Sequence, residues 1–139
     1  MDKTLIFVDD GFLAKLSKHF GGGKYLRFDR CLFSHNLARK QNLECEKIFY
    51  YTAPLFQSRL STKEEEQRKE GHDKFIKSLS EKGVVIREGR VQRLNIEGRF
   101  VYNQKAVDSL AIIDLMSVPL KYPHVLKIII ISSDKKIGS

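Results

Sequence analysis

The sequence predicts an α/β fold with a largely parallel sheet, on three observations. Short apolar runs suited to buried strands stand near both ends of the chain, Leu5-Ile6-Phe7-Val8 and Ile128-Ile129-Ile130-Ile131. Between them, stretches with helical spacing alternate with strand-like ones. That alternation favours right-handed crossovers between parallel strands. At 139 residues the chain is long enough for one domain with a single core.

The elements follow in order. Residues 4 to 8 form a central strand, and Asp9-Asp10-Gly11 turns the chain. Phe12, Leu13, Leu16 and Phe20 recur at helical spacing until Gly21-Gly22-Gly23 stops the helix. The following Lys24 does not make this a phosphate loop, because the glycines follow a helix and lack the required spacing. Phe28, Leu32, Phe33 and Leu37 predict a helix over about 28 to 40. Lys47 to Thr52 is rich in aromatic and β-branched residues and reads as a strand. A loop with Pro54 leads to Ser61 or Thr62, either of which caps a helix reaching about Lys82. Glu64, Glu65 and Glu66 suit its first turn, and Phe75, Ile76 and Leu79 its buried face.

Gly83 ends that helix and Val84 to Arg87 begins a strand. Arg90 to Leu94 and Arg99 to Tyr102 alternate around Glu97-Gly98, which predicts a small β-hairpin. The stretch Lys105 to Lys121 is a helix, apolar on more than one side, as expected of one sandwiched between the sheet and other elements. Pro119 and Pro123 mark its end, and 126 to 132 is the last strand.

Twenty-five Lys and Arg against seventeen Asp and Glu give a net charge of +8. The excess is read either as solubility or as a polyanion partner, with nucleic acid ahead of membrane. No membrane role is expected, since no stretch approaches the ~20 apolar residues of a spanning helix. The N-terminal run is broken by Asp9 and Asp10, unlike a signal peptide. Cys31 and Cys45 form no CxxC pair, and two thiols in this length suit a reducing, cytoplasmic compartment. The four histidines show no ligand spacing, which argues against zinc.

The chemistry-bearing residues are acidic. Asp9 follows the first apolar run, Asp134 follows the last, and Asp108 lies near the start of the preceding helix. Singly, each suits a structural role, as a helix cap or a first-turn charge. If the two runs are neighbouring parallel strands, all three converge beyond the carboxyl ends of the sheet, where ligands of such folds bind. Clustered carboxylates repel and call for a divalent cation, Mg²⁺ or Mn²⁺. Such an ion activates water and stabilises charge in phosphodiester cleavage. Asp114, six positions after Asp108, is about 240° around a helix from it. It either reaches the site from the side or pairs with a basic residue, while Asp10 caps or faces solvent. Lys105 either steadies a phosphate or neutralises Asp108. Arg59, Arg87, Arg90 and Arg93 are further candidates for holding RNA phosphates. Tyr50 and Tyr51 either stack on bases or alternate, one in the core and one towards solvent.

Several segments together resemble an NYN domain, the LabA-like branch of the PIN-like ribonuclease superfamily. They are Ile6-Phe7-Val8-Asp9-Asp10-Gly11, Tyr50-Tyr51-Thr52-Ala53-Pro54, Phe75 to Val85, Gln104-Lys105-Ala106-Val107-Asp108 with Leu110 to Leu115, and Ile129 to Asp134. The resemblance implies a Rossmann-like three-layer sandwich with strand order 3-2-1-4-5. It also implies a metal-dependent ribonuclease with Asp9, Asp108 and Asp134 as catalytic metal ligands and Asp114 at a further acidic position.

The chain departs from that pattern in places. Phe12 stands where the family has a polar residue, Ala106 replaces a Gly, and Ser133 replaces the Gly of the final signature. Asp134 is followed by Lys135-Lys136 rather than by another acid, and no fifth strand follows. The expectation is a single NYN/PIN-like domain over 1–139, either truncated at its C-terminal end or degenerate, with order 3-2-1-4. An exposed fourth strand would be an edge hazard, covered in a homodimer. Two other readings stand beside the nuclease. One is an RNA-binding or scaffold module on the same fold, and the other a small-molecule phosphatase or nucleotide-binding protein.

Overall fold

The computed structural model describes residues 1–24, 28–53, 60–105 and 107–132, with backbone alone for 90–95, 100–105 and 107–108. Strand β1 (Asp2–Asp9) is buried from Thr4 through Val8, because both of its faces are covered. Helix α1 (Asp10–Phe20) starts where the Asp9 carboxylate accepts from the amides of Gly11 and Phe12. Helix α2 (Arg30–Lys40) is capped in the same way by Asp29, which accepts from Leu32. That bond, joined by Lys82, holds the Asp29 carboxyl below its ordinary pKa. The face of α2 turned to the sheet is small: Ser34 and Ala38 are buried, while Leu32 and Phe33 remain exposed. Small side chains let α2 lie close on β2.

Strand β2 (Leu43–Thr52) begins four residues earlier than the aromatic run suggested, because Leu43 and Cys45 alternate into the core ahead of it. Thr62 is the residue that caps α3 (Lys63–Glu81), accepting from Glu65. Leu79 of α3 is buried, and Phe75 and Ile76 pack beside it, as the periodicity predicts. Beyond Lys82, Gly83 takes φ 85°, and the Val84 amide bonds back to Leu79. Strand β3 (Val85–Glu88) follows.

The hairpin β4 (Arg90–Ile96) and β5 (Arg99–Lys105) is antiparallel around Glu97-Gly98, as expected. Helix α4 (Val107–Lys121) ends at Lys121, between the two prolines, as expected, but it begins two residues later than the sequence suggests because Lys105 closes β5. The turn continues past the proline, and the Tyr122 amide bonds to the Val118 carbonyl. Strand β6 (Lys127–Ile131) completes the described elements.

The sheet order is β3-β2-β1-β6, with every pairing parallel. With the hairpin strands left out of the count, this is the expected 3-2-1-4 order. Helices α1, α2 and α3 pack on one face with Ile6, Val8, Ile48 and Tyr50. Helix α4 packs on the other through Leu110, Ala111, Leu115 and Val118, against Leu5, Phe7 and Tyr51. There Phe7 stacks on Phe49 at 4.9 Å.

The opposite side of α4 is apolar too. Ile112, Ile113, Met116 and Leu120 form a stripe at helical spacing and stay exposed among the described residues. Strand β6 is the end strand of the described sheet, and its Ile128 and Ile130 are exposed as well. Among the described residues, no helix is long and apolar enough to cross a membrane.

Candidate functional site at the carboxyl edge of the sheet

Crossovers from β1 through α1 and α2, and from β2 through α3, run over one face, whereas α4 leads into β6 over the other. The switch point therefore lies between β1 and β6, and Asp9 is the last residue of β1. Parallel register sets three residues in one row across the carboxyl edge. Asp9 pairs with Tyr51, and Tyr51 pairs with Arg87. Paired residues share a face, and Tyr51 belongs to the α4 face. Asp9 is also the N-cap of α1: Oδ1 accepts from Gly11 at 2.9 Å and Phe12 at 3.4 Å.

Asp114 descends onto this row from α4. Its Oδ2 accepts from the Tyr51 hydroxyl at 2.7 Å and from Arg87 Nε at 3.0 Å. Of the two alternatives the sequence left open for Asp114, pairing with a basic residue is realised. The pairing also brings Asp114 to the edge where Asp9 stands. The Asp114 side chain is 13% exposed and that of Arg87 37%, so the aspartate is the more buried partner. Burial first, and then the bond to Asp114, push the Tyr51 hydroxyl well above the usual tyrosine pKa.

Asp10 was expected to cap or to face solvent, and it does neither. Alternation turns it to the opposite face of the sheet, where its carboxylate accepts from Arg30 Nη1 at 2.5 Å and from the Tyr50 hydroxyl. It also accepts from Thr52 Oγ1 at 3.1 Å. The Arg30 guanidinium donates to the Tyr50 oxygen as well and lies 4.9 Å over the Phe75 ring. The cluster ties the starts of α1 and α2 to the end of β2. Burial, followed by the Asp10 charge, raises the Tyr50 pKa strongly. The sequence signal for this cluster was slight: two adjacent aspartates after a strand must face opposite ways, and only one can cap.

The tyrosine expectations need correction. Tyr50 is 1% exposed and Tyr51 2%, so neither stacks on a base and neither turns to solvent. Helices cover both faces of β2, so alternation carries each tyrosine into a core rather than one out of it.

The remaining candidates are placed less fully. Asp108 is the second residue of α4, and its side chain is outside the described residues. Tyr122, just past the far end of α4, packs against Phe49, two positions before Tyr51 in β2. Helix α4 therefore runs against the strand direction, and its first turn, with Asp108, lies towards the carboxyl edge. Asp134 and Arg59 lie outside the described residues. Ser132 follows Ile131, which pairs with Val8, so the chain leaves β6 level with Asp9. Arg90 and Arg93 lie on β4 and Lys105 ends β5, with Arg90 opposite Lys105 in the hairpin register.

Among the described residues, no three His, Cys, Asp or Glu side chains come together. The two carboxylates of the α4 face are hard oxygen donors of the right kind, but Asp114 is already taken by a cation. This part of the donor set alone does not fit a divalent ion. Burial raises the pKa of the Cys31 thiol and pushes that of Cys45 to about 11, which disfavours their thiolates. The chain matches no family model, no curated protein and no solved structure, so its functional reading stands on this edge alone.

Proposed function

We propose that the chain is a metal-dependent endoribonuclease of the NYN, PIN-like kind, with Mg²⁺ or Mn²⁺ as its cofactor and RNA as its substrate. The observation that carries the reading is the row Asp9–Tyr51–Arg87, onto which α4 lowers Asp114. It sets two carboxylates and a partly exposed arginine on one face at the switch point of a parallel sheet. That is where an α/β fold binds its ligand. Asp108 and Asp134 are the further acidic residues of the reading, and the net charge of +8 suits a polyanion. Arg87 has guanidinium N–H groups for a phosphodiester oxygen, and Arg59, Arg90, Arg93 and Lys105 are the further basic residues of the reading.

The test is cleavage of labelled single-stranded RNA with Mn²⁺. Asn caps a helix as well as Asp does. Asp9→Asn therefore keeps the fold and loses the cleavage. Equal activity in Asp9→Asn, or undiminished activity in a chelator, overturns the reading.

A second reading is a non-catalytic RNA-binding module on the same fold. It is favoured by the Arg87 cation that already neutralises Asp114. It predicts RNA affinity that falls with salt and is indifferent to divalent ions.

A further inference from the structure

We propose that a second copy of this chain covers the outer side of α4, in a two-fold dimer in which each α4 lies over the partner's β6. The inference goes beyond the nuclease reading and does not depend on it.

Two exposed apolar surfaces stand on the same side of the sheet. One is the α4 stripe of Ile112, Ile113, Met116 and Leu120. It points away from the chain's own sheet, because Leu110, Ala111, Leu115 and Val118 occupy the inner side of the helix. The other surface is on β6. Ile128 pairs with Leu5 and Ile130 with Phe7, and those partners belong to the core beneath α4. The two isoleucines therefore share that face. Helix α4 reaches across to Tyr51 of β2 and Arg87 of β3, and Ile128 and Ile130 stay exposed among the described residues.

One chain cannot bring these surfaces together, since the stripe faces away from the sheet that carries β6. Two copies laid face to face can. A two-fold axis sets each stripe on the other chain's isoleucines, so both contacts form at once and the assembly closes. At their fractional exposures the six residues offer roughly 650 Å² per chain, more than the patch of about 300–600 Å² on a typical monomer. That area is within the share of about 600–1,000 Å² that each partner of a standard interface buries. Charge does not oppose the contact, although each chain carries +8. From Ser109 to Leu120 the sole ionisable residue is Asp114, and its carboxylate is turned to Arg87.

The experiment is sedimentation velocity on the full chain across a concentration series, in the wild type, Met116→Glu, Ile130→Lys and an equimolar mixture of the two variants. Met116 is 75% exposed and Ile130 53%, so each variant keeps its fold, which circular dichroism checks. The wild type should sediment as a dimer. Each variant alone buries an unpaired charge twice, which should raise the dimer Kd by about a hundredfold or more. In the mixture, Glu of one chain meets Lys of the other, and the second contact is the native one. The mixture should therefore recover the dimer.

A wild type that stays monomeric overturns the proposal, and its co-sedimentation with phosphatidylcholine vesicles would then assign the surface to lipid. A dimer that persists in both variants places the interface elsewhere and overturns it as well. Loss in both variants without recovery in the mixture overturns the placing of α4 over the partner's β6.

Discussion

Tyr50 and Tyr51 are neighbours in β2, and their hydroxyls donate to aspartates on opposite faces of the sheet, Tyr50 to Asp10 and Tyr51 to Asp114. Each aspartate also pairs with an arginine, Arg30 on one face and Arg87 on the other. Two tyrosine–aspartate–arginine clusters thus flank the carboxyl edge that carries Asp9. The Asp10 cluster joins α1, α2 and β2. The Asp114 cluster joins α4, β2 and β3.

The Asp10 cluster is the stronger structural tie. Its ion pair is mostly buried, with side chains 17% and 22% exposed. Asp10→Ala leaves Arg30 and the Tyr50 hydroxyl without their acceptor and should cost about 3 kcal/mol. A urea titration read by circular dichroism would measure it. Asp9→Asn, under the same conditions, should stay within about 0.5 kcal/mol of the parent, because the cap is retained. A loss as large at Asp9→Asn as at Asp10→Ala would contradict the division of roles.

Both tyrosine clusters weaken the fold in alkali. Tyr50 and Tyr51 hold their protons above the ordinary value of 10.0, because burial and the adjacent carboxylates disfavour the phenolate. In the unfolded chain they ionise near 10. Their contribution is complete below that pH. It is lost above it, where the unfolded chain releases protons that the folded chain keeps. Cys45 acts in the same direction between its ordinary 9.0 and about 11. Stability should therefore fall from about pH 9 upwards. At about pH 11, urea unfolding should raise the phenolate absorbance, and Tyr50→Phe and Tyr51→Phe should each remove part of that rise. An absorbance step unchanged in both variants would refute the assignment.

The hairpin turn can be improved. Glu97 has φ 52° and Gly98 φ 79°, the pair of positive values that a two-residue hairpin turn of matching twist requires. Gly accepts that conformation, whereas Glu pays strain for it. Glu97→Asn should stabilise the chain by about 0.5 kcal/mol and raise the thermal midpoint by about 2 °C. A lowered midpoint would mean that the Glu97 side chain contributes more than its backbone costs.

Much of the fold was legible in the sequence. The buried run before Asp9, the cap at Thr62, the turn at Glu97-Gly98 and the inward face of α3 are local patterns, and each appears where periodicity or capping chemistry puts it. The end of α4 between Pro119 and Pro123 was legible, whereas its start was not, because Lys105 belongs to the hairpin strand β5. The two-sided apolarity of α4 was correct as a pattern. It did not say that the outer stripe would stand exposed among the described residues.

By itself the sequence determined the alternation of strands and helices, the parallel character of the sheet that such alternation favours, and the position of Asp9 at the end of a buried strand, because these depend on local spacing. The tertiary structure alone decided which carboxylates share a face and which are already neutralised. Arg30 reaches Asp10 across twenty residues, and Arg87 reaches Asp114 across twenty-seven. Those pairings are set by strand register and by the direction in which α4 crosses the sheet, and neither leaves a mark in local sequence.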